Sequence, residues 1–600
     1  MKKWTAVVLA FFALLCLNAL SEGERIFDVS LSSDSVGQYE LLEITFDTDA
    51  DFVNPFDMYE IDIRAVFTTP SGEKITYPAF LRRPGRDLNY DFVIDRNGTV
   101  YDYNFDTGRF DFVRNEADIW CVRFSWNEIG TYSFSFEMTF NGVSSSHPGG
   151  TFTVTGSDQK GPIVKSKINP SYLVYRDSGE QFFAIGMNNA QNWDTFGYTR
   201  ALEAIEKNGG NFARIWTGTD YGYNSLTIEN WSCGPGMYNL DMAEAYDRVT
   251  RVAREKDIKL QVCFDSFSAL SKDKNSYGQF DTSSIYNVEN GGFISVPSDF
   301  WTNEDCRKDY MNRVRYLMAR SMWDTNIALW ELMNEINGTY NMGDNKVQKA
   351  AAGWLSDMRD FILSVDPYDR PVGVSFHTGN SLDSWKKLAG NCNLDYIQAH
   401  QYSAYDVASA MKVLETNAHR YSDMAVIGEF GSMDNDRAKD PDWLYVHIGL
   451  WSGIHTGAFG TPMYWFHQEL IEAGYDRYLS SVVNYVNAFD FVSEKTRTAS
   501  IDRDDGIRAI GLVNQSGTSA IVYVYNAEYL WARKNPAAAE NVSFTIKKLE
   551  NIPVQVDIYN TFTGEIETSY TETVGKDGKI TVSFESLLQD AAVMVRPVSE

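Results

Sequence analysis

The sequence is poor in cysteine, histidine and basic residues. It has 6 Cys and 7 His among 600 residues, and no two cysteines show CxxC spacing, which argues against zinc-ribbon and thiol-redox sites. The 53 Lys and Arg are outnumbered by 81 Asp and Glu, for a net charge of −28. Nucleic acid and anionic membranes are therefore disfavoured as partners, because phosphate binding needs a basic surface. We find no P-loop, dinucleotide fingerprint or metal-ligand spacing, and we predict no cofactor and no metal.

Long apolar runs are absent apart from one at the N-terminus. Lys2 and Lys3 precede an apolar stretch over residues 6–17, and small residues favour cleavage after Ser21. This stretch is too short to span a membrane and is typical of a secretory signal peptide. We expect residues 1–21 to be removed, the mature bacterial protein to be secreted or periplasmic, and no segment to span the membrane. Leu15 stands before Cys16 where a lipoprotein signal has a small residue, so we expect no lipid anchor.

Apolar patterning divides the rest of the chain into three parts. Residues 22–165 and 498–600 show short alternating runs separated by turn signals, which predicts a β-sandwich at each end. Residues 170–492 instead alternate short apolar strands with amphipathic helices, which predicts an α/β fold, a (β/α)8 TIM barrel. The predicted barrel strands are 182–187, 211–216, 258–264, 327–333, 372–376, 394–399, 424–428 and 458–466.

Two of these apolar runs end in a glutamate. Glu335 follows the predicted fourth strand and Glu429 follows the predicted seventh. The C-terminal ends of barrel strands line the mouth where ligands bind. Carboxyl groups on strands four and seven face each other there and can sit about 5–5.5 Å apart, the spacing for hydrolysis of a sugar–sugar bond with retention.

These strand ends resemble those of clan A glycoside hydrolases, the group that includes glycoside hydrolase family 5. The resemblance implies that Glu335 is the acid/base, that Glu429 is the nucleophile, and that Asn334 binds the sugar 2-hydroxyl. It also implies a retaining mechanism through a covalent glycosyl-enzyme, acting on the β-glycosidic bonds of a polysaccharide or its oligosaccharides. The N-terminal sandwich looks like an uncharacterised module that often precedes such barrels.

Three further strand ends, with four residues, extend the resemblance, and one strand end departs from it. Arg214 matches the arginine that keeps the nucleophile ionised, and His400 and Tyr402 match a His-x-Tyr after the sixth strand. Trp465 matches a tryptophan that supports a sugar ring. Many family 5 members have a histidine after the third strand, where this chain has Asp265.

Simpler interpretations remain open for single residues. Either glutamate could pair with an arginine, His400 and Trp465 could be interior residues, and His467 could be structural or reach the cleft. The loop from 265 to about 302 is long enough to be a lid. Loop aromatics could stack sugars or pack within their own loops: Trp193, Tyr221, Tyr223, Trp231, Tyr277 and Tyr286.

The sequence also leaves alternatives for the function as a whole. A carbohydrate-binding protein on an inactive barrel and an exo-acting β-glycosidase on small glycosides are both compatible with it. The sugar, its linkage, the oligomeric state and the role of the two sandwiches are not determined by the sequence.

Overall fold

The computed structural model describes residues 25–598 with several gaps, namely 85–90, 95–99, 105–108, 113–116, 193, 219–223, 225, 231–232, 274–277, 378–384, 433–436 and 534–535. The predicted signal peptide lies outside the described residues, and so do the loop aromatics Trp193, Tyr221, Tyr223, Trp231 and Tyr277. Among the helices that the structure describes, none has both the length and the hydropathy needed to cross a membrane.

The chain divides into two compact units. The first consists of Met1–Arg82 and Ala117–Ser157, and the second of Arg83–Glu116 and Asp158–Glu600. Residues 83–116 therefore group with the barrel rather than with the N-terminal sandwich in which the sequence analysis had placed them. The predicted domain boundaries themselves stay predictions.

The first unit is a β-sandwich of two antiparallel-rich sheets, with strand orders β1-β3-β10-β6 and β2-β12-β11-β4-β5. Aromatic side chains fill the space between the sheets. Phe67 on one sheet stacks on Phe124 of the other, with ring centroids 4.0 Å apart. The strands of the first unit are β1 Ile26–Leu31, β2 Ser35–Gly37, β3 Leu42–Thr48, β4 Ile61–Thr68, β5 Lys74–Pro78, β6 Phe80–Arg82, β10 Ile119–Phe124, β11 Gly130–Phe140 and β12 Val143–Thr155. Between β6 and β10 in the sequence lie three strands of the second unit, β7 Phe92–Ile94, β8 Val100–Asn104 and β9 Arg109–Phe112.

The small sheet β7-β8-β9 is attached to the helices of the second unit. Asp91 accepts a 3.0 Å hydrogen bond from Arg248 Nε, and the backbone N–H of Phe92 donates to Thr195 Oγ1 at 2.8 Å. All four residues are buried. A second small sheet follows, of β13 Ile163–Lys165, β14 Leu173–Tyr175 and β15 Gln181–Phe182.

The centre of the second unit is a parallel sheet of seven strands in sequential order. Most of its strands are buried along their whole length, which explains why they appear in the sequence as continuous apolar runs. They are β16 Gly186–Asn188, β17 Phe212–Trp216, β18 Lys259–Cys263, β19 Ile327–Glu331, β20 Val372–Phe376, β21 Tyr396–Tyr402 and β22 Met424–Gly431.

Helices connect these strands, and several begin at a side-chain cap. Asp194, Asn239, Asn303, Asp344 and Asp406 each accept a backbone N–H of the first turn, which satisfies donors that have no partner inside the helix. The helices are α1 Thr195–Lys207, α2 Leu240–Glu255, α3 Glu304–Ser321, α4 Asn345–Val365, α5 Lys386–Ala389, α6 Val407–Ala418, α7 Leu444–Ile454, α8 His467–Glu472 and α9 Tyr478–Asn487.

The eighth predicted strand is not a regular strand, so the barrel prediction is confirmed only in part. The segment 458–466 nevertheless hydrogen-bonds to both outer strands of the sheet. Its Met463 N–H donates to Ile427 O at 3.1 Å, and its Tyr464 O accepts from Asn188 N at 3.1 Å. Pro462 within the segment has no N–H to donate, which interrupts a regular ladder.

The C-terminal part forms two further sheets, of orders β23-β25-β26-β31-β28-β29 and β24-β27-β30. Buried aliphatic residues from both sheets, such as Val522 and Ile546, share one core. The strands are β23 Thr496–Thr498, β24 Ser500–Arg503, β25 Ile507–Asn514, β26 Ala520–Asn526, β27 Ala539–Lys547, β28 Pro553–Tyr559, β29 Ile566–Thr573, β30 Lys579–Leu587 and β31 Asp590–Pro597.

Candidate active site

Arg214, in the middle of β17, is the hub of a buried polar cluster in the barrel. Its Nη1 donates to Glu429 Oε1 at 2.7 Å and to Asn188 Oδ1 at 3.1 Å. Its Nη2 donates to Asn334 Oδ1 at 2.8 Å. The guanidinium thus connects the ends of three strands from a position with no solvent exposure, where charged hydrogen bonds are strong.

Glu331, the last residue of β19, fixes the orientation of this guanidinium. Its two carboxylate oxygens accept from Arg214 Nε at 2.7 Å and from Nη2 at 2.9 Å. Gln261 Nε2 also donates to Glu331, at 2.7 Å. Burial disfavours the carboxylate, but Arg214 outweighs this and lowers the pKa of Glu331. The fork-to-fork pairing aims the remaining N–H groups of Arg214 at the mouth.

Glu429 lies in β22 and is held in its ionised form. Burial alone would raise its pKa, but the positive charges of His400 and Arg214 and the hydrogen bonds from His400 and Tyr402 lower the pKa well below its ordinary value. A Cβ at the preceding Gly428 would lie 2.0 Å from Gln398 Oε1, so a larger residue there would require the Gln398 side chain to move.

Glu335 lies just beyond β19 in a left-handed backbone conformation, with φ of 50°. Its backbone N–H donates to Ser375 Oγ at 2.8 Å, and that hydroxyl donates to Asn334 Oδ1 at 3.1 Å. One Glu335 oxygen lies within 4.8 Å of one Glu429 oxygen. A left-handed residue other than glycine is uncommon and is maintained here by its neighbours.

His400 and Tyr402, both on β21, lie between and beside the two carboxyl groups. His400 Nδ1 is 2.7 Å from Glu335 Oε1 and 3.2 Å from Glu429 Oε2. Burial disfavours its charged form, but the carboxylates of Glu429 and Glu335 raise the pKa of His400 to about 9. Tyr402 Oη donates to Glu429 Oε2 at 2.6 Å.

Trp465 is half-buried in the segment 458–466 and borders a cavity of about 180 Å³. Its ring contacts Trp216 at a centroid distance of 5.1 Å, and Trp216 in turn packs against Arg214. Trp465 therefore adjoins the polar cluster, and its partial exposure is compatible with the predicted sugar platform. His467, two residues later, also borders this cavity.

Asp265, at the position where the resemblance implies a histidine, does not face the cleft as a free side chain. Its Oδ2 accepts from Arg313 Nη2 at 2.6 Å and from Tyr286 Oη at 2.8 Å. Its backbone O accepts from Asn334 N at 2.8 Å. Asp265 thus ties the long loop to α3 and to the segment that carries Glu335. Tyr286 is fully buried in this network, so among the two interpretations of that aromatic the structure supports packing.

Glu335, His400 and Glu429 form a group whose spacing could in principle accommodate a metal ion. The surroundings fit one poorly. Arg214 already brings a positive charge to 2.7 Å from Glu429, and a second cation there would be repelled. A protonated His400 cannot ligate a metal.

The structure brings all the predicted site residues to one end of the barrel; hydrogen bonds or ring contacts link Asn334, Glu335, Glu429, Arg214, His400, Tyr402 and Trp465. Their individual roles stay predictions. Four residues that position them were not predicted from the sequence. Glu331, Asn188, Gln261 and Ser375 lie in barrel strands, but no local pattern distinguishes them from other buried strand residues.

Part of this chain resembles known proteins in sequence. No protein-family model matches the chain. Over 267 residues the chain is 25% identical to mannan endo-1,4-beta-mannosidase 4 of Oryza sativa subsp. japonica, covering 41% of this chain and 51% of the relative. The tomato (Solanum lycopersicum) enzyme of the same name is 22% identical over 259 residues, covering 42% and 59%. The chain thus spans about half the length of the curated relatives it matches.

A solved structure matches nearly the whole fold. It is a Bacteroides vulgatus protein provisionally described as a glycoside hydrolase, with a TM-score of 0.57 and 14% identity, covering 94% of this chain and 100% of that one. At this identity the likeness concerns the fold alone. The resemblance inferred from the strand ends is confirmed by the mannanase relatives: the chain resembles clan A glycoside hydrolases of the family 5 type.

Proposed function

We propose that this chain is a secreted retaining β-glycoside hydrolase in which Glu335 is the acid/base and Glu429 the nucleophile. The observation that carries the proposal is the placement of the two carboxyl groups, with oxygens within 4.8 Å of each other. Retaining enzymes need about 5–5.5 Å between these groups, whereas inverting enzymes need about 6.5–9.5 Å to admit a water molecule.

In the first step, Glu429 attacks the anomeric carbon and the bond to the leaving oxygen breaks as Glu335 gives that oxygen a proton. Arg214, His400 and Tyr402 keep the attacking carboxylate ionised. The contact of 2.7 Å between Glu335 and His400 requires a proton between them. His400, whose pKa the two carboxylates raise to about 9, holds the Glu335 carboxyl in place through this hydrogen bond.

In the second step, Glu335 removes a proton from water, whose oxygen then displaces Glu429 from the anomeric carbon. Esterification removes the charge of Glu429, so His400 and Arg214 then face one carboxylate fewer. The ester bond breaks, the sugar leaves with its original anomeric configuration, and both carboxyl groups return to their starting states.

For the substrate we propose a neutral β-1,4-linked mannan or an oligosaccharide derived from it. Support comes from the names of the two curated relatives and from the acidic composition, which disfavours polyanionic sugars. Secretion is proposed from the N-terminal signal alone.

The test is to follow the first product of hydrolysis by NMR on a panel of mannan, β-glucan and galactan oligosaccharides. The β-anomer must appear first and mutarotate later, with mannan oligosaccharides cleaved fastest. A first product of inverted configuration would exclude the mechanism. Binding without any released sugar would favour the carbohydrate-binding alternative, and release of monosaccharide alone would favour an exo-acting enzyme.

A further inference from the structure

The C-terminal sandwich reaches the mouth of the barrel through one tryptophan. Trp531 follows β26, and its indole Nε1 donates a 2.8 Å hydrogen bond to the backbone O of Ala404. Ala404 lies in the loop directly after β21, two residues beyond Tyr402. Trp531 is 6% exposed, whereas Ala404 is half-buried, so the indole side of this hydrogen bond is the protected side.

Ala404 is also held from its other side. Its backbone N–H donates to Tyr445 Oη at 3.2 Å. The Tyr445 ring packs edge-on against Trp531 at 5.7 Å and stacks on Phe430, the residue after Glu429, at 6.1 Å. Both backbone polar groups of Ala404, in the two peptide units that flank its Cα, are thus fixed by aromatic side chains, one from α7 and one from the C-terminal sandwich.

Ala404 is separated by one residue from the end of β21, the strand that carries His400 and Tyr402. Ser403 has a left-handed backbone with φ of 50°, and its N–H donates to Gly431 O at 2.9 Å. This reversal leaves Tyr402 facing Glu429, to which its hydroxyl donates at 2.6 Å. A shift of the Ala404 peptide would be transmitted through one strained residue to that hydroxyl.

We propose that Trp531 is a positioning residue of the active site, through which the C-terminal sandwich holds Tyr402 against Glu429. The sandwich is then a part of the catalytic machinery rather than an appended module. The inference rests on the proposed function for its kinetic consequence, although its structural core, the orientation of Tyr402, does not.

The same interface supplies a matched control. Trp451 on α7 donates its indole Nε1 to Thr561 O of the C-terminal part at 2.7 Å and is fully buried. Trp451→Phe therefore removes an equivalent indole–carbonyl hydrogen bond between the barrel and the sandwich. The hydrogen bonds described above give Trp451 no route to Tyr402.

The experiment compares Trp531→Phe with Trp451→Phe in the full chain. Trp531→Phe should lower kcat/KM about tenfold and move its acidic limb to higher pH, because Glu429 loses a hydrogen bond to its charged form. Trp451→Phe should lower only the melting temperature. The other groups that face Glu429 are unchanged in both variants: Arg214 on β17, His400 on β21 and Glu335 after β19.

Two further variants separate positioning from general loosening. Trp531→Phe should add no further pH shift in a Tyr402→Phe background, and Tyr445→Phe, which breaks the other half of the clamp, should act in the same direction as Trp531→Phe. Equal effects of Trp531→Phe and Trp451→Phe, or additive shifts in the double variant, would overturn the inference.

A measurement without substrate separates this inference from the proposed function. The carboxyl ¹³C signal of Glu429, assigned with Glu429→Gln, should titrate at higher pH in Trp531→Phe than in Trp451→Phe. If this shift appears but no sugar is hydrolysed, the positioning stands and the proposed function fails. If hydrolysis proceeds with retention but the two variants titrate alike, the inference fails.

Discussion

Glu331 accepts two hydrogen bonds from Arg214, at 2.7 and 2.9 Å, and neither side chain is exposed to solvent. Glu331 acts on the proposed nucleophile through Arg214, because the same guanidinium also donates a hydrogen bond to Glu429. Glu331 therefore fixes the orientation of the Arg214 guanidinium beside Glu429. A carboxylate outside the proposed reacting pair can in this way influence one within it.

Glu331→Gln should reduce kcat/KM by about 10- to 100-fold, because the amide cannot accept both N–H groups of the guanidinium. The matched control is Asp247→Asn, which weakens another buried pair, Asp247 with Arg320 at 2.6 Å. Both variants should lose stability, but only Glu331→Gln should lose activity at a temperature where both remain folded. Similar kcat/KM values for the two would contradict this role.

Glu429→Ala should abolish turnover, since no other carboxylate can form the glycosyl ester. Added azide should restore part of the activity on a substrate with a good leaving group and give the glycosyl azide of inverted configuration. Product NMR identifies the azide. Turnover of the variant at the wild-type rate without azide would rule out Glu429 as the nucleophile.

Glu335→Ala should affect substrates according to their leaving groups. Aryl glycosides with acidic phenols need little protonation and should retain much of kcat for the first step, whereas oligosaccharides should be cleaved at a rate lower by about 10²–10⁴. Steady-state and burst kinetics on both substrate types provide the measurement. A uniform loss across leaving groups would be incompatible with an acid role.

Glu415 on α6 should make the protein less stable as the pH rises. It is fully buried, and burial raises its pKa to about 8. The folded chain keeps a proton that the unfolded chain releases near pH 4.5, so the free energy of unfolding falls between about pH 4.5 and 8 and then levels off. His419, 3.8 Å away, has its pKa lowered by burial and does not offset this loss near neutral pH.

Glu415→Gln should remove that slope and raise the free energy of unfolding at pH 8 by a few kcal/mol, on the order of 3. Denaturant unfolding at pH 5 and pH 8 measures the difference. The exposed Glu203→Gln on α1 serves as the control and should leave the slope unchanged. A Glu415→Gln variant with the wild-type slope would show that this carboxyl is ionised in the folded state.

Removal of metal ions should leave activity unchanged. Dialysis against EDTA, followed by assays with and without added Ca²⁺, Mg²⁺ or Zn²⁺, should give the same kcat/KM, because the guanidinium of Arg214 occupies the electrostatic position a cation would take beside Glu429. Loss of activity in EDTA with recovery on adding one metal would point to an ion among Glu335, His400 and Glu429.

The residues at strand ends could be predicted because the parallel-sheet pattern and the mouth of a barrel are both visible in sequence. Six barrel strands lie close to their predicted ranges, whereas the first, predicted over 182–187, begins only at Gly186. Glu335 and Glu429 have oxygens within 4.8 Å of each other. The eighth range contains Pro462, whose effect on the ladder an apolar run does not reveal. Glu335 also lies beyond its strand, in a left-handed turn that depends on Ser375 from the neighbouring strand.

The supporting residues could not be predicted because their roles depend on contacts between distant segments. Glu331 is 117 residues from Arg214 in the chain, and within an apolar run it resembles any buried strand residue. From the sequence, Asp265 was identified only as the residue at the position where many family 5 members have a histidine. Its function as an anchor depends on Arg313 of α3 and Tyr286 of the loop, which no local pattern connects to it.

The grouping of residues 83–116 with the second unit affects how this chain could be shortened or recombined. Within this range, Asp91 and Phe92 are hydrogen-bonded to Arg248 and Thr195 of the same unit. A gene fragment beginning at residue 158 would lack Asp91, the partner of the buried Arg248. A fragment encoding only the N-terminal sandwich would contain the 34 residues 83–116 without the rest of the unit to which they belong. The second unit therefore takes chain from both sides of Ala117–Ser157, so a recombined chain would have to carry residues 83–116 together with Asp158–Glu600.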